Sequence, residues 1–121
     1  MLVFGKINDV NARLLIDTGA SSSCINYLSS KKYSLNYIKF DEKILSANSE
    51  INETFYSKNN KFEIGDFKKN DFEILLFDMS YINNALKEKE IDSVDGIIGS
   101  DILKELNAKI DYEKKLLLLK L

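Results

Sequence analysis

The octapeptide Leu14-Leu15-Ile16-Asp17-Thr18-Gly19-Ala20-Ser21 runs three bulky apolar residues into a carboxylate and then into a small, hydroxyl-bearing turn. This pattern predicts a buried strand that delivers an acid to a tight loop. An unpaired buried carboxylate is strongly disfavoured unless its pKa shifts until it is neutral, so Asp17 is expected to have a partner or a task. Asp before Thr-Gly also fits a plain turn in which the carboxylate caps its own backbone. A second stretch, far downstream, bears on the choice.

That stretch is Gly96-Ile97-Ile98-Gly99-Ser100-Asp101-Ile102-Leu103-Lys104-Glu105-Leu106. Two β-branched residues between glycines predict a very short buried strand. Ser100 or Asp101 is then expected to cap a helix whose Ile102, Leu103 and Leu106 share one face. A strand–glycine–helix turn brings backbone close to something, although ordinary strand-to-helix packing would use the same residues.

Working outward, residues 2–7 read as a strand, Asn8-Asp9-Val10-Asn11 as a turn and residues 12–16 as the returning strand. Cys24-Ile25 is a short apolar segment, with one helical turn expected over 27–32, beginning near Asn26. Between residues 37 and 62 the apolar positions Ile38, Phe40, Ile44, Phe55 and Tyr56 fall mostly at period two around the polar Ser46-Ala47-Asn48-Ser49-Glu50. Two strands joined by a mobile hairpin tip follow from that. Phe62-Glu63-Ile64 before Gly65-Asp66 predicts a further strand, and residues 72–77 a strand buried on both faces. Residues 79–90 suit a short helix, with Asn83 ahead of Ala85-Leu86-Lys87. Asp92 and Asp95 lack the spacing and terminal glutamate of an EF-hand, so a solvated turn is expected there rather than a metal loop. The end of the chain reads as a hairpin of residues 107–112 and 116–121 about Glu113-Lys114-Lys115. Its four consecutive leucines cannot all point to one face, and a second subunit is the natural cover for the other.

A length of 121 residues predicts one domain spanning 1–121. With a single cysteine there is no intrachain disulfide, and Cys24 is expected to be a small buried hydrophobe. The absence of histidine removes Ser-His-Asp and Cys-His catalysis, His-ligated zinc and imidazole bases together. Chemistry must rest on carboxylates, hydroxyls or lysine. Seventeen basic against nineteen acidic residues, net −2 with Arg13 the one arginine, are too balanced for nucleic-acid binding. No apolar run reaches the roughly 20 residues that span a bilayer. A cytoplasmic location is expected, or a periplasmic or secreted one if a signal sequence has been trimmed.

Asp17-Thr18-Gly19-Ala20-Ser21 after Leu-Leu-Ile, followed downstream by Gly96-Ile97-Ile98-Gly99 and a short helix, resembles the retropepsin-like aspartic proteases, and in particular their single-domain bacterial members. The order of hairpin, catalytic loop, flap hairpin, buried strand, glycine turn, helix and terminal hairpin carries the resemblance over nearly the whole chain. It implies an all-β fold, mainly β with one or two short helices: an acid-protease barrel with one lobe per chain. Peptide hydrolysis by this route needs a base to activate water and an acid to protonate the carbonyl oxygen. The chain holds one Asp-Thr-Gly, so the resemblance implies a homodimer, joined through the active-site loop and terminal strands, with Asp17 beside its symmetry mate.

The resemblance further assigns Thr18 to hydroxyls interlocking the two loops and Gly19 to close backbone approach. Leu15, Ala20, Ser21 and Ile97 would contact the peptide substrate, and Asn48 and Ser49 would cover it from the flap. Two departures stand out. Residues 46–52 contain no glycine, whereas related flaps usually carry one at the tip. Ala20 stands where several relatives have a hydroxyl, which predicts a less acidic pH optimum. A catalytically inactive dimerisation or peptide-binding module of the same fold is the alternative, and a plain β-rich domain with an incidental Asp-Thr-Gly a third.

Overall fold

The computed structural model describes residues 1–39 and 53–120. β1 (Leu2–Ile7) and β2 (Val10–Ile16) form an antiparallel hairpin in which Ile7 faces Val10. Its loop is therefore only Asn8 and Asp9, both left-handed (φ 49° and 68°), and the expected four-residue turn is shorter than read. Two such residues give a turn whose twist matches that of the strands. The Asn8 side chain also ties the hairpin down, donating to Tyr33 O at 2.8 Å and accepting from Lys61 N at 2.8 Å.

β3 (Cys24–Asn26) leads into a 3-10 turn, Tyr27–Ser29, capped by Asn26 Oδ1 accepting from Leu28 N at 3.2 Å. β4 (Ile38–Lys39) pairs with β5 (Phe55–Ile64), and β5 turns through Gly65-Asp66 into β6 (Phe67–Phe77). The flap tip expected over 46–52, with Asn48 and Ser49, lies outside the described residues, as do Phe40 and Ile44. α1 (Ser80–Glu88), β7 (Gly96–Ile98), α2 (Ser100–Glu105), β8 (Lys109–Asp111) and β9 (Leu116–Leu118) follow.

The main sheet runs β1-β2-β7-β3-β6-β5-β4, and β1 also pairs with β5, so six of the strands close into a barrel with β4 at its edge. Closure gives each wall strand an inner and an outer face. β6 shows the consequence: Phe72, Ile74 and Leu76 are buried while Glu73 is exposed, so the strand alternates instead of being buried on both faces. Inside, Ile7, Leu14, Ile16, Ile25, Phe62 and Ile98 meet Ile102, Leu103 and Leu106 of the α2 segment, which share one face as expected.

α1 starts three residues earlier than Asn83, which sits inside the helix. Its amide reaches across to Val94, accepting from the backbone N at 2.8 Å and donating to the O at 3.2 Å. In the terminal hairpin Leu117 and Leu119 pack against the core, while Leu116 and Leu118 remain about half exposed. No helix among the described residues is long and apolar enough to cross a membrane.

Candidate active site

β7 is inserted between β2 and β3, parallel to the first (Leu14 beside Gly96, Leu15 beside Ile97, Ile16 beside Ile98) and antiparallel to the second. The segment from Ile16 to Cys24 therefore crosses over the C-terminal end of β7. Asp17 N continues the pairing by donating to Ile98 O at 2.9 Å. The lower end of β7 is locked by Asp95. Its carboxylate accepts from Arg13 N at 2.9 Å, its own N donates to Arg13 O at 2.7 Å and its O accepts from Asn26 N at 2.7 Å. The solvated turn read there holds for Asp92, which is exposed, but not for Asp95, which is half-buried and fixes the register of the inserted strand.

Leu14 and Ile16 are buried as expected, but Asp17, Thr18, Gly19 and Ser21 are exposed on this chain and Ala20 is half-buried. The buried-acid reading is thus corrected: strand β2 ends underneath, and the carboxylate stands above it. Asp17 Oδ1 accepts from Gly19 N at 3.0 Å, and Ala20 N donates to Asp17 O at 3.1 Å. The carboxylate thus caps its own turn, as the plain-turn reading expects, and is at the same time displayed by it.

Three contacts below the loop hold this display. Ser100 N donates to Ala20 O at 2.7 Å. Gly99 N donates to Ser23 Oγ at 2.8 Å. Ser23 in turn is gripped by Asp101, through Oγ at 2.6 Å and backbone N at 3.0 Å. Neither Ser100 nor Asp101 caps α2: Gly99 occupies the cap position and has no side chain to bond with, while the Asp101 carboxylate is engaged by Ser23. A Cβ on Gly99 would lie 2.6 Å from Ala20 O, and one on Gly96 2.6 Å from Cys24 O. Both glycines of the second motif serve close approach, one against the loop and one against β3. Ser23 was indistinguishable from Ser21 and Ser22 in the sequence; only its burial sets it apart.

Because strand side chains alternate, Leu15 and Asp17 share the outer face. Ile97 stands beside Leu15 in register. This face carries a second apolar cluster, in which Cys24, Met79, Val94 and Ile97 are buried and Leu2, Leu15, Ala20, Leu75, Phe77, Ile82 and Leu86 pack against them. Ile97 is 7% exposed, covered by its neighbours in this cluster. Burial pushes the Cys24 thiol up to about 12, in keeping with a small hydrophobe rather than a nucleophile. On the other side of the loop, a cleft of about 490 Å³ opens among Thr18, Ser100, Leu103, Lys104, Asn107, Ala108 and Ile110. No metal-holding group of side chains occurs among the described residues. What the loop presents is one exposed carboxylate on a fixed turn. That can serve as an acid or as a base, but not as both in one step.

A family model described as aspartyl protease matches residues 3–102. No curated protein matches the chain. Among solved structures, the retroviral protease-like domain of Ddi1 from Leishmania major is similar with a TM-score of 0.68 at 17% identity, covering 99% of this chain and 87% of that one. EIAV protease complexed with the inhibitor HBY-793 gives 0.64 at 21% identity, covering 92% and 91%. A retropepsin-like aspartic protease from Rickettsia conorii gives 0.62 at 18%, covering 98% and 79%. At these identities the structures speak for the fold, which is retropepsin-like; the family model speaks for descent. A strand inserted beneath an Asp-Thr-Gly turn is thus explained by kinship, and the chain belongs to the aspartyl protease family.

Proposed function

We propose that the chain is an aspartic endopeptidase that hydrolyses peptide bonds with water activated between Asp17 and Asp17 of a second copy. The observation that carries this reading is the exposed Asp17 on a turn pinned from below through Ile98, Ser100 and Ser23. A charge displayed so rigidly, on the side of the barrel that also carries Leu15, suits a dyad more than a surface turn. Two carboxyls brought within a few ångströms share one proton. The ionised member takes a proton from water as its oxygen attacks the scissile carbonyl carbon, and the protonated member gives its proton to the carbonyl oxygen. The member now ionised takes a hydroxyl proton from the tetrahedral intermediate as the C–N bond breaks, and the amine leaves with the proton of the other member, so the dyad ends with the one proton it began with.

The second copy would approach through Thr18 and the cleft beside it, and through the uncovered face of β9 with Leu116 and Leu118. The substrate is an extended peptide, and no cofactor takes part. The test is cleavage of a mixed peptide library between pH ~3 and 8, a window bracketing carboxyl dyads, with wild type and Asp17→Asn and with light scattering to follow association. Cleavage by the dimer that vanishes in Asp17→Asn supports the proposal. A folded dimer that cuts nothing at any pH refutes it and leaves a peptide-binding or dimerisation module.

A further inference from the structure

The outer apolar cluster is an incomplete fit for a substrate pocket, because a helix of the same chain already sits in it. Leu15 shares its face with Asp17, and Ile97 lies beside Leu15, so a substrate side chain next to the scissile bond would rest here. Yet Ile97 is 7% exposed, and Ile82 and Leu86 pack into the same cluster from α1. These two residues are four apart and half-buried, so they form one stripe of the helix, while Tyr81 on its other side is exposed.

α1 is not hung loosely over the barrel. Asn83 holds Val94 by two hydrogen bonds, of 2.8 and 3.2 Å. Met79 N donates to Asn26 Oδ1 at 3.1 Å at the start of the helix. Met79 itself is fully buried. Anchors at the start of the helix and in its middle make it a fixed filling, not a lid.

We propose that Ile82 and Leu86 of α1 determine specificity by occupying the apolar pocket beside Asp17, so that the substrate residue adjacent to the scissile bond must be small, of alanine size. The inference rests on the proposed peptidase reading and names the substrate class within it. In an apolar pocket a single methylene is worth about 10- to 200-fold in discrimination. Truncating Leu86 removes three carbons, so at least a tenfold change in preference follows.

The experiment uses a peptide series identical except for Ala, Val, Leu or Phe at the position next to the cleaved bond. Cleavage is measured as kcat/KM with wild type, Ile82→Ala, Leu86→Ala and Leu86→Phe. Binding of the same series is measured by fluorescence anisotropy in an Asp17→Asn background, so that selectivity is read even where nothing is cut. Circular dichroism establishes that each variant is folded. Wild type is expected to favour Ala. Leu86→Ala or Ile82→Ala should raise the Leu-to-Ala ratio at least tenfold, and Leu86→Phe should lower it. Wild type that takes Phe as readily as Ala, folded variants with unchanged preference, or no binding of any peptide would overturn the proposal. The peptidase reading fails separately, if binding selectivity follows α1 but no variant carrying Asp17 cuts.

Discussion

Replacing Gly99 by alanine isolates the contact on which the loop carrying Asp17 rests. Gly99 has φ −98° and ψ −172°, extended backbone that any residue adopts, so the substitution introduces no torsional strain. What it introduces is a methyl carbon 2.6 Å from Ala20 O and 3.2 Å from Ser22 C, against an ordinary contact of 3.4 Å or more. Relief at the oxygen takes the difference, 3.4 − 2.6 = 0.8 Å, or half that if the contact settles at 3.0 Å. Both obstacles are backbone, so the loop carrying Asp17 must move by that amount and strain the Ser100 N to Ala20 O bond of 2.7 Å. Overpacking of this kind costs about 1–3 kcal/mol, offset by about 0.4–1 kcal/mol from the stiffer unfolded chain. A net loss of about 1–2 kcal/mol corresponds to a Tm drop of roughly 4–8 °C for a domain of this size. Since a misplacement of about 1 Å can cost about 100-fold in rate, kcat should fall between about 10- and 100-fold. The assay pairs thermal melting with initial rates on a cleavable peptide. Gly19→Ala is the control for stability, because its Cβ meets a side-chain atom, Asp17 Oδ1 at 3.3 Å, and no backbone. A Gly99→Ala protein that melts with wild type and cuts at the wild-type rate would refute the argument that this glycine sets the loop.

Ser23→Ala removes a hydrogen bond to Asp101 and leaves Gly99 N without its acceptor, so a loss of about 2–3 kcal/mol in urea unfolding is expected, with kcat reduced alongside. The Cys24 thiol, buried and protonated, should resist iodoacetamide at pH ~8 in the native protein and react readily in denaturant. Its pKa is raised from 9.0 to about 12, so the unfolded chain loses that proton first and stability contributed by Cys24 falls as pH rises from 9.0 toward 12. The difference in urea midpoint between wild type and Cys24→Ala should therefore shrink across that range; a constant difference would contradict it. Ala20→Ser places a hydroxyl donor beside the displayed carboxylate and should move the acid limb of the rate profile to lower pH, which initial rates against pH would reveal.

The fold was legible where local pattern and global packing agree. Leu14-Leu15-Ile16 before Asp-Thr-Gly, and Ile97-Ile98 between glycines, each state a strand and its ending, and their pairing through β7 follows once the family resemblance supplies the partner. Less legible was which element covers a given face. Apolarity over residues 72–77 reads as burial on both faces, yet only Phe72, Ile74 and Leu76 are buried and Leu75 and Phe77 half-buried, because apolarity does not say whether the cover is complete. The same blindness hid α1: nothing in residues 79–90 tells that Ile82 and Leu86 lie over Ile97 and not on the barrel's far side. Polar anchors were hidden for another reason. Ser23, Asp95 and Asp101 act across about eighty positions of chain, with partners 78, 82 and 78 residues away, and short-range spacing cannot encode such pairs.

The insertion of β7 also dictates the order in which the molecule can assemble. β2 and β3 are separated by a few residues of chain but cannot become neighbours through hydrogen bonds to each other, since their edges are reserved for a strand made much later. Contacts of such long range form slowly, after the loops between them have closed. Until residues 95–101 thread into that slot, Asp17 has no Ile98 carbonyl to hang from and no Ser100 to rest on. A nascent or nicked chain that lacks residues 95–101 therefore carries the whole Asp-Thr-Gly motif without the contacts that hold its loop, and the insertion of β7 shuts the barrel and sets that loop in one event.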